Sequence, residues 1–540
     1  MAHVSGVIGD PNILFVFTDQ QRADSLGAVN GWDRTPHLDA LADEGVLFTS
    51  CFANAPVCIP SRFSLMSGLY PHNLGVQTNR PITYPTRLDT WVEVLRRSGY
   101  RTSLFGKLHL HPTQGDLRKR ERLVRRFGFD DVDEVAGPRA LQACSTALTD
   151  QWERDGVRDA YRRDVAERYA NTPWVVRPSP VGLDLYYDTY VGRSAAAYLR
   201  SYDRPEPWFC YVGFPGPHEP WDTPEPWASA YEPRTMPAPR AAPRSSGDRS
   251  VGALDRRLHD RPDLSPGEIA ALRADYAGGV SLIDDVIGEV LQVVRDRGEW
   301  DRTIVVFTSD HGDLLGAHGG LIQKWCNAFD EATRVPLLIA GPGIERGGPG
   351  IDMPTSHVDL IPTLLGLAGI DREEATVGVS AHHDEVQALP GRDLSPLVRG
   401  QGAPSAHAAP IYFMTEDDVT RGLTEVNILT GTAFEPVSPP INIESVLAML
   451  PTGTGGAQEL WKLNHYYERL DDWYAARGVA PNPFLGPAAE PDWELHNLTS
   501  DPEERHNRIS DDPAAASSMK SVLESERENK RRIPKLRNAP

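Results

Sequence analysis

Continuous apolar runs, separated by stretches with helical spacing, place the strongest limit on how this chain can fold. Four segments are dominated by consecutive apolar side chains and do not alternate with polar ones: residues 12–18 (NILFVFT), 208–214 (WFCYVGF), 303–307 (TIVVF) and 335–340 (VPLLIA). Strands that are apolar on both faces are typical of a parallel sheet covered by helices on each side. The sequence therefore predicts an α/β fold with a large, mostly parallel sheet flanked by helices.

Helical patterns alternate with these strands. Residues 35–44 start with Thr-Pro, a common beginning of a helix, and residues 281–297 carry apolar side chains at helical spacing. A further helix is predicted at residues 90–97, and shorter strands at residues 46–48 and 102–105. Because ligands in such folds gather beyond the carboxyl ends of the strands, we expect the functional site there.

The alternation ends near residue 400, which divides the chain into three predicted parts. Residues 1–400 form the α/β domain, residues 401–510 a smaller α+β domain, and residues 511–540 a helix and tail. Two stretches of the first part have little β signal. Residues 110–190 are predicted to form inserted helices and loops, and residues 215–249 a long Pro- and Arg-rich surface loop.

The formal net charge of −20 argues against nucleic acids and anionic membranes as partners, because both would be repelled. An apolar run of about 18 residues is lacking, so no membrane span is predicted. Residues 1–10 show no secretory signal, and the five cysteines form neither a disulfide framework nor a zinc-ligand spacing. A cytoplasmic location is therefore expected.

Two polar pairs follow predicted strands. Asp19-Gln20 follows residues 12–18, and Asp310-His311 follows residues 303–307. A single Asp at a strand end is more often only the N-cap of the next helix. Two such pairs at strand ends of one sheet favour a shared metal ion. Oxygen ligands suit Ca²⁺, Mg²⁺ or Mn²⁺, and a histidine ligand slightly favours Mn²⁺.

Cys58 begins the most distinctive segment, residues 58–62 (CIPSR), which continues to Ser67-Gly68. Most cysteines are simply small buried hydrophobic residues. This one stands in a proline-containing turn, four residues before Arg62 and ahead of a predicted helix. The segment resembles the signature of the sulfatase family, in which the cysteine is oxidised to formylglycine. Ser67 stands where Thr is more usual in that family.

The resemblance covers most of the chain and implies an alkaline-phosphatase-like fold. Six further segments resemble motifs of the family in the right order: residues 12–22 (NILFVFTDQQR), 106–109 (GKLH), 217–218 (PH), 309–312 (SDHG), Lys324 with 329–336 (FDEATRVP), and 493–507 (WELHNLTSDPEERHN). Of the chain's few lysines, Lys107 and Lys324 occupy motif positions. A compact ammonium is favoured where a guanidinium would not fit.

The resemblance implies a sulfuric ester hydrolase that acts on a small-molecule sulfate ester. A formylglycine-generating enzyme would convert Cys58 to formylglycine, which hydrates to a geminal diol and attacks sulfur. One divalent ion would activate the diol, with Ca²⁺ as the first candidate and Mn²⁺ or Mg²⁺ as options. The implied ligands are Asp19, Gln20, Asp310, His311 and the modified Cys58.

The remaining motif residues receive roles from the same resemblance. Arg62 would hold the diol, while Lys107 and Lys324 would neutralise sulfate oxygens as charge develops. His218, together with Lys324, would protonate the leaving alcohol, and His109 would be the base that allows sulfate to leave.

The metal pairs depart from those of many arylsulfatases, which carry Asp-Asp and Asp-Asn. Asp19-Gln20 and Asp310-His311 are closer to choline-sulfatase-like enzymes and phosphonate monoester hydrolases. Two alternatives stay open: a phosphonate monoester or phosphate diester hydrolase with the same residues, and a catalytically silent binding protein on the same scaffold. The sequence leaves open the substrate alcohol and the oligomeric state, for which a homo-oligomer is one option.

Overall fold

A mixed eight-stranded sheet forms the centre of the computed structural model. The described residues are 10–30, 32–76, 79, 82–86, 88–171, 175–241, 264–324, 327–348, 350–371, 389–415, 425–426, 433–434, 442–452, 457–467 and 492–530. The strands of the sheet are β1 (Asn12–Thr18), β2 (Gly45–Phe52), β3 (Arg101–Gly106), β4 (Asp131–Glu134), β5 (Trp208–Gly213), β6 (Thr303–Ser309), β7 (Arg334–Ala340) and β8 (Thr355–Ser356).

The strand order is β8-β2-β7-β6-β1-β5-β3-β4. β7 runs antiparallel to both of its neighbours, β2 and β6. The other paired strands are parallel to each other. Because β7 is reversed, its amino end lies at the edge where the other strands have their carboxyl ends.

Helices cover both faces of this sheet. The helices that pack against the strands discussed below are α1 (Pro36–Asp43), α2 (Cys58–Ser67), α3 (Trp91–Arg97), α4 (Tyr187–Ser201), α5 (Pro266–Asp296) and α6 (His357–Leu367). Further helices are Gly27–Asn30, Glu121–Arg126, Pro138–Leu141, Ala147–Arg154, Arg158–Asn171, Ala317–Gly320, Asp330–Thr333 and Ser395–Val398. Two short parallel strands, Gly115–Asp116 and Cys144–Ser145, pair with each other.

The buried strand β1 shows how the sequence produces this layered arrangement. Ile13, Phe15 and Phe17 face one core, which also contains side chains of α2, α3 and α6. Leu14 and Val16 face the opposite core with side chains of α1, α4 and α5. Successive side chains of a strand point to opposite faces, so a strand between two helical layers is apolar at every position.

A smaller four-stranded antiparallel sheet follows the main domain. Its strands are β9 (Ile411–Thr415), β10 (Asn442–Thr452), β11 (Ala457–Tyr467) and β12 (Asp492–Asn497), in that order. The last helix, α7 (Pro513–Lys530), packs on one face. The other face shares a hydrophobic cluster with Phe52 and Ala328 of the main domain. Another short antiparallel pair joins Glu425–Val426 and Ala433–Phe434.

The predicted fold class is confirmed: a mostly parallel sheet flanked by helices carries a smaller α+β unit. The boundaries at residues 400 and 510 stay predictions. The interpretation of residues 110–190 as only inserted helices and loops is wrong at β4, which joins the central sheet. β4 has the sequence DVDE and lies at the outer edge, where one side is not paired and polar residues are tolerated.

The helix predicted at residues 281–297 starts much earlier, at Pro266. Gly278-Gly279 interrupts the apolar pattern, and glycine lowers helix propensity. A Cβ on Gly278 would lie 2.4 Å from the carbonyl oxygen of Trp227, so glycine permits close packing here. None of the helices in the described residues is long and apolar enough to cross a membrane. Cys51, Cys58, Cys144 and Cys210 are free and buried, and Cys326 lies outside the described residues.

Candidate active site

The carboxyl edge of the central sheet brings the predicted site residues together. Asp19, Lys107 and Asp310 directly follow β1, β3 and β6. His218 lies in the loop after β5, and Lys324 lies in the loop that leads back to β7. Since β7 begins at this same edge, its reversed direction brings Lys324 to the residues that follow the parallel strands.

Gly106 allows β3 and β5 to approach closely where Lys107 begins. Its φ of 98° lies in the left-handed region that favours glycine. The backbone nitrogen of Lys107 donates to the carbonyl oxygen of Gly213 at 2.7 Å. A Cβ on Gly106 would stand only 2.0 Å from that oxygen. The glycine of the GKLH segment therefore sets the position of the lysine.

Cys58 is the first residue of α2, and every residue of this helix is buried. Proline fits the first turn of a helix, where an amide hydrogen is not needed, which explains Pro60. The thiol sulfur lies 3.2 Å from Nε2 of His311 and 4.0 Å from Oδ1 of Asp19. Burial raises the pKa of the Cys58 thiol and so does Asp19, but positive groups led by Lys324 outweigh both and hold that pKa well below its ordinary value.

Asp19, Cys58, Asp310 and His311 form a group that can hold a metal ion. Their candidate ligand atoms all lie within 4.8 Å of one another, and all four residues are buried. Two carboxylates buried together need compensating positive charge, and this donor set fits a divalent cation. Nδ1 of His311 lies 3.0 Å from the carbonyl oxygen of Gly312. This bond places the Nδ1 hydrogen and leaves Nε2 to face the group.

Gln20 lies beside the four residues of the candidate metal site, but its side-chain amide bonds to other residues. Its backbone nitrogen donates to Oδ1 of Asp310 at 2.9 Å. Its side-chain nitrogen donates to Glu219 at 3.0 Å and to Asp313 at 2.5 Å, and its oxygen accepts from the Lys324 ammonium. The role of Gln20 as a metal ligand stays a prediction.

Arg62 holds the two carboxylates in place. Its Nη2 donates to Asp19 at 2.7 Å, its Nε donates to Asp310 at 2.8 Å, and its Nη1 donates to the carbonyl oxygen of Lys107 at 3.0 Å. The ammonium of Lys107 binds the same oxygen of Asp19 as Arg62 does. Although burial raises the pKa of Asp19, Lys107 and Arg62 hold it well below its ordinary value.

Lys324, His218 and Glu219 form a second group beside the first. The ammonium of Lys324 lies 2.9 Å from Nε2 of His218. Nδ1 of His218 lies 2.7 Å from the carbonyl oxygen of Glu219 and 3.2 Å from its carboxylate. Both neighbours of Nδ1 are acceptors, so Nδ1 carries a hydrogen and Nε2 faces Lys324. Burial raises the pKa of Glu219, but His218, Arg139 and Lys324 lower it to about 2.

His109 is half-buried, and its φ of 62° lies in the left-handed region. Its buried Nδ1 has no hydrogen-bond partner among the described residues. Burial lowers the pKa of this imidazole, and nearby Lys107 lowers it further, to about 3. A neutral imidazole with an open nitrogen can accept a proton.

Sequence reasoning missed two kinds of supporting residue. Glu219 and Arg139 contact each other at 3.4 Å beside His218. In the sequence, Glu219 could have been noticed because it directly follows His218, whereas no sequence feature points to Arg139. Lys462 and Glu504 lie in the smaller domain and bind Asp330, six residues after Lys324. Glu504 belongs to the predicted terminal motif, but its contact with the Lys324 loop could not be inferred from the motif.

Comparison with known proteins identifies the family of this chain. The model of the sulfatase family matches residues 11–370. The choline-sulfatase of Rhizobium meliloti is 29% identical over 436 residues, which cover 76% of this chain and 77% of the relative. The multifunctional alkaline phosphatase superfamily protein PehA of Trinickia caryophylli is 28% identical over 428 residues, covering 74% and 79%.

A solved structure extends the comparison to the whole fold. The phosphonate monoester hydrolase of Agrobacterium radiobacter superposes with a TM-score of 0.68 at 24% identity, over 96% of both chains. The match to the family model covers well over half of the chain and includes the residues that converge around Cys58. This chain therefore belongs to the sulfatase family, a family of sulfuric ester hydrolases.

Proposed function

We propose that this protein hydrolyses a small-molecule sulfate ester by means of formylglycine derived from Cys58 and one divalent metal ion. The observation that most strongly supports this proposal is the group of Asp19, Cys58, Asp310 and His311, whose candidate ligand atoms lie within 4.8 Å of one another. Ca²⁺ is the first candidate, and Mn²⁺ and Mg²⁺ are options. When present, formylglycine supplies the nucleophilic oxygen, and the metal ion supplies positive charge for that oxygen and for the sulfate.

The protein's own residues account for substrate binding and proton movement. Arg62 fixes Asp19 and Asp310 through one hydrogen bond to each, so the donor group is already ordered before substrate binds. Lys107 and Lys324 are the buried ammonium groups that face the sulfate oxygens, and their attraction grows as negative charge develops.

Two histidines have distinct proton roles. Nε2 of His218 faces Lys324, and a proton on this nitrogen would pass to the oxygen of the leaving alcohol. The carboxylate of Glu219 lies 3.2 Å from Nδ1 and would stabilise positive charge on the ring. His109 is the candidate base for the later release of sulfate, because its Nδ1 has no partner within the described part of the chain.

The test is to produce the protein together with a formylglycine-generating enzyme and to measure hydrolysis of an aryl sulfate. Peptide mass spectrometry of the segment with Cys58 should show formylglycine in proportion to activity. Cys58→Ala is the matched variant that cannot be modified, and it should be inactive. A fully active preparation that contains only unmodified cysteine would contradict the proposal.

Gln20 and His311, the second residues of the two polar pairs, favour one second candidate function, that of a phosphonate monoester or phosphate diester hydrolase. Sulfate and phosphonate groups are similar in size and shape, so the same cationic residues can bind either. Comparing kcat/KM for an aryl sulfate and a phenyl phosphonate in the matured enzyme decides between them. A silent binding protein on this scaffold would show neither activity, and it would not need stoichiometric metal.

A further inference from the structure

Arg139 lies beside the active site on the segment that follows β4. The backbone nitrogen of Val135 donates to the carbonyl oxygen of Gly106 at 3.0 Å, which brings this segment next to Lys107. A Cβ on Gly137 would lie 3.1 Å from the ammonium nitrogen of Lys107. The chain therefore passes Lys107 in van der Waals contact just before it reaches Arg139.

The guanidinium of Arg139 has few partners. Its Nη1 lies 3.4 Å from Oε1 of Glu219, and its Cζ lies 5.9 Å from the centre of the Tyr169 ring. Glu219 also accepts hydrogen bonds from Gln20 at 3.0 Å and from Gln323 at 3.1 Å. A guanidinium has five N–H donors, so most of those of Arg139 are not used by the described residues.

Arg139 also differs from the other cations of the site in its exposure. Its side chain is 21% exposed, whereas those of Arg62 and Lys107 are 1% and 4% exposed, and Lys324 is fully buried. Burial lowers the pKa of Arg139, but Glu219, Tyr169 and Cys58 raise it above its ordinary value.

The contact with Glu219 places Arg139 on one side of the site. Glu219 directly follows His218 and contacts its Nδ1 at 3.2 Å. If His218 protonates the leaving alcohol, Arg139 lies on the side where the alcohol part of the substrate binds. Lys107 and Lys324 are the proposed sulfate-binding cations, and Arg139 is a more exposed cation with N–H donors that the described residues do not use, so it favours a second negative group.

We propose that Arg139 binds a second oxyanion, a carboxylate or a sulfonate-like group, carried by the alcohol part of the substrate. The natural substrate is then an anionic sulfate ester, and a cationic alcohol such as a quaternary ammonium alcohol is disfavoured. The proposal rests on the proposed sulfatase function and adds a substrate class to it. Arg139 is a specificity residue that contacts the substrate away from the reacting sulfur.

The test uses aryl sulfates that differ in charge but have leaving groups of matched pKa. One carries a carboxylate and one a sulfonate, each at the meta or para position; one is neutral, and one carries a trimethylammonium group. Wild type should prefer the two anionic esters. Arg139→Gln should lower the ratio of kcat/KM for the anionic esters to kcat/KM for the neutral ester by about ten- to a hundredfold, mainly through KM for the anionic esters. Arg139→Lys should keep part of the preference for anionic esters. Comparing kcat/KM for the carboxylate ester with kcat/KM for the sulfonate ester identifies the oxyanion that the site prefers.

Arg193→Gln is the matched control, because this exposed arginine pairs with Asp184 away from the site. Unchanged melting temperatures would establish that the variants are folded. Equal losses on neutral and anionic esters would overturn the proposal, since Arg139 would then act only through Glu219. Wild type without an anionic preference would overturn it as well. If wild type hydrolyses phosphonate esters and no sulfate ester, the proposed function fails, and the same charge series on phosphonate esters still tests Arg139.

Discussion

Lys462 provides the sharpest test of what holds the smaller sheet against the main domain. Its side chain is fully buried in β11, and its ammonium binds three oxygens of other segments. These belong to the carbonyl of Ala328 at 2.8 Å, Asp330 at 2.9 Å and Glu504 at 2.5 Å. Burial lowers the pKa of Lys462, but the two carboxylates raise it above its ordinary value. The ammonium is therefore charged and bridges the domains.

Lys462→Met removes this charge and leaves two buried carboxylates without their shared cation. Two lost charge-assisted hydrogen bonds at roughly 1.5–3 kcal/mol each give roughly 3–6 kcal/mol. Breaking one partner of a buried ion pair independently gives about 3–5 kcal/mol. We therefore expect the free energy of unfolding to fall by about 3–5 kcal/mol, measured by urea unfolding with tryptophan fluorescence.

Two further variants serve as controls for the effect of Lys462→Met. Lys119→Met removes an exposed lysine and should stay within about 0.5 kcal/mol of wild type. Combining Lys462→Met with Asp330→Asn and Glu504→Gln should recover most of the loss, because no buried carboxylate is then left unpaired. A loss below about 1 kcal/mol for Lys462→Met would refute the assigned role of this ammonium.

Three further predictions concern the site and its surroundings. Lys107→Arg should lose turnover of an aryl sulfate almost as severely as Lys107→Ala, by roughly a hundred- to a thousandfold, because a planar guanidinium does not fit a pocket built around an ammonium; a near-normal rate with unchanged melting temperature would contradict this. Asp310→Ala should lose stoichiometric metal in elemental analysis, since it removes one of the two carboxylates of the donor group, and full occupancy would disprove the site. Burial lowers the pKa of His111, but Glu134 at 2.9 Å raises it above its ordinary value. Protonated His111 then pairs with Glu134 and stabilises the fold at low pH. This stabilisation is lost as the pH rises through the raised pKa of His111. Glu134→Gln should therefore lower the melting temperature more near pH 5.5 than near pH 9, and equal shifts would exclude the ion pair.

Some features of the site could be predicted from local sequence alone. The run NILFVFT is apolar from Ile13 to Phe17 because β1 is buried on both faces, so its strand and the site at its carboxyl end follow from the pattern. Residues 58–62 form a short, distinctive signature, and Lys107 and Lys324 occupy motif positions. These residues were identified individually, and the structure places them at one edge of the sheet.

Local patterns and motifs were enough to predict the fold class, the strands that are apolar on both faces, and the residues of the signature around Cys58. The packing of the segments sets the reversed direction of β7, the edge position of β4, the contact of Arg139 with Glu219, and the contact of Lys462 with Glu504. The physical reason is that periodicity reports whether a segment is buried but not which segment lies beside it. Contacts such as Lys462 with Asp330 join residues 132 positions apart, and they are set by how the layers pack.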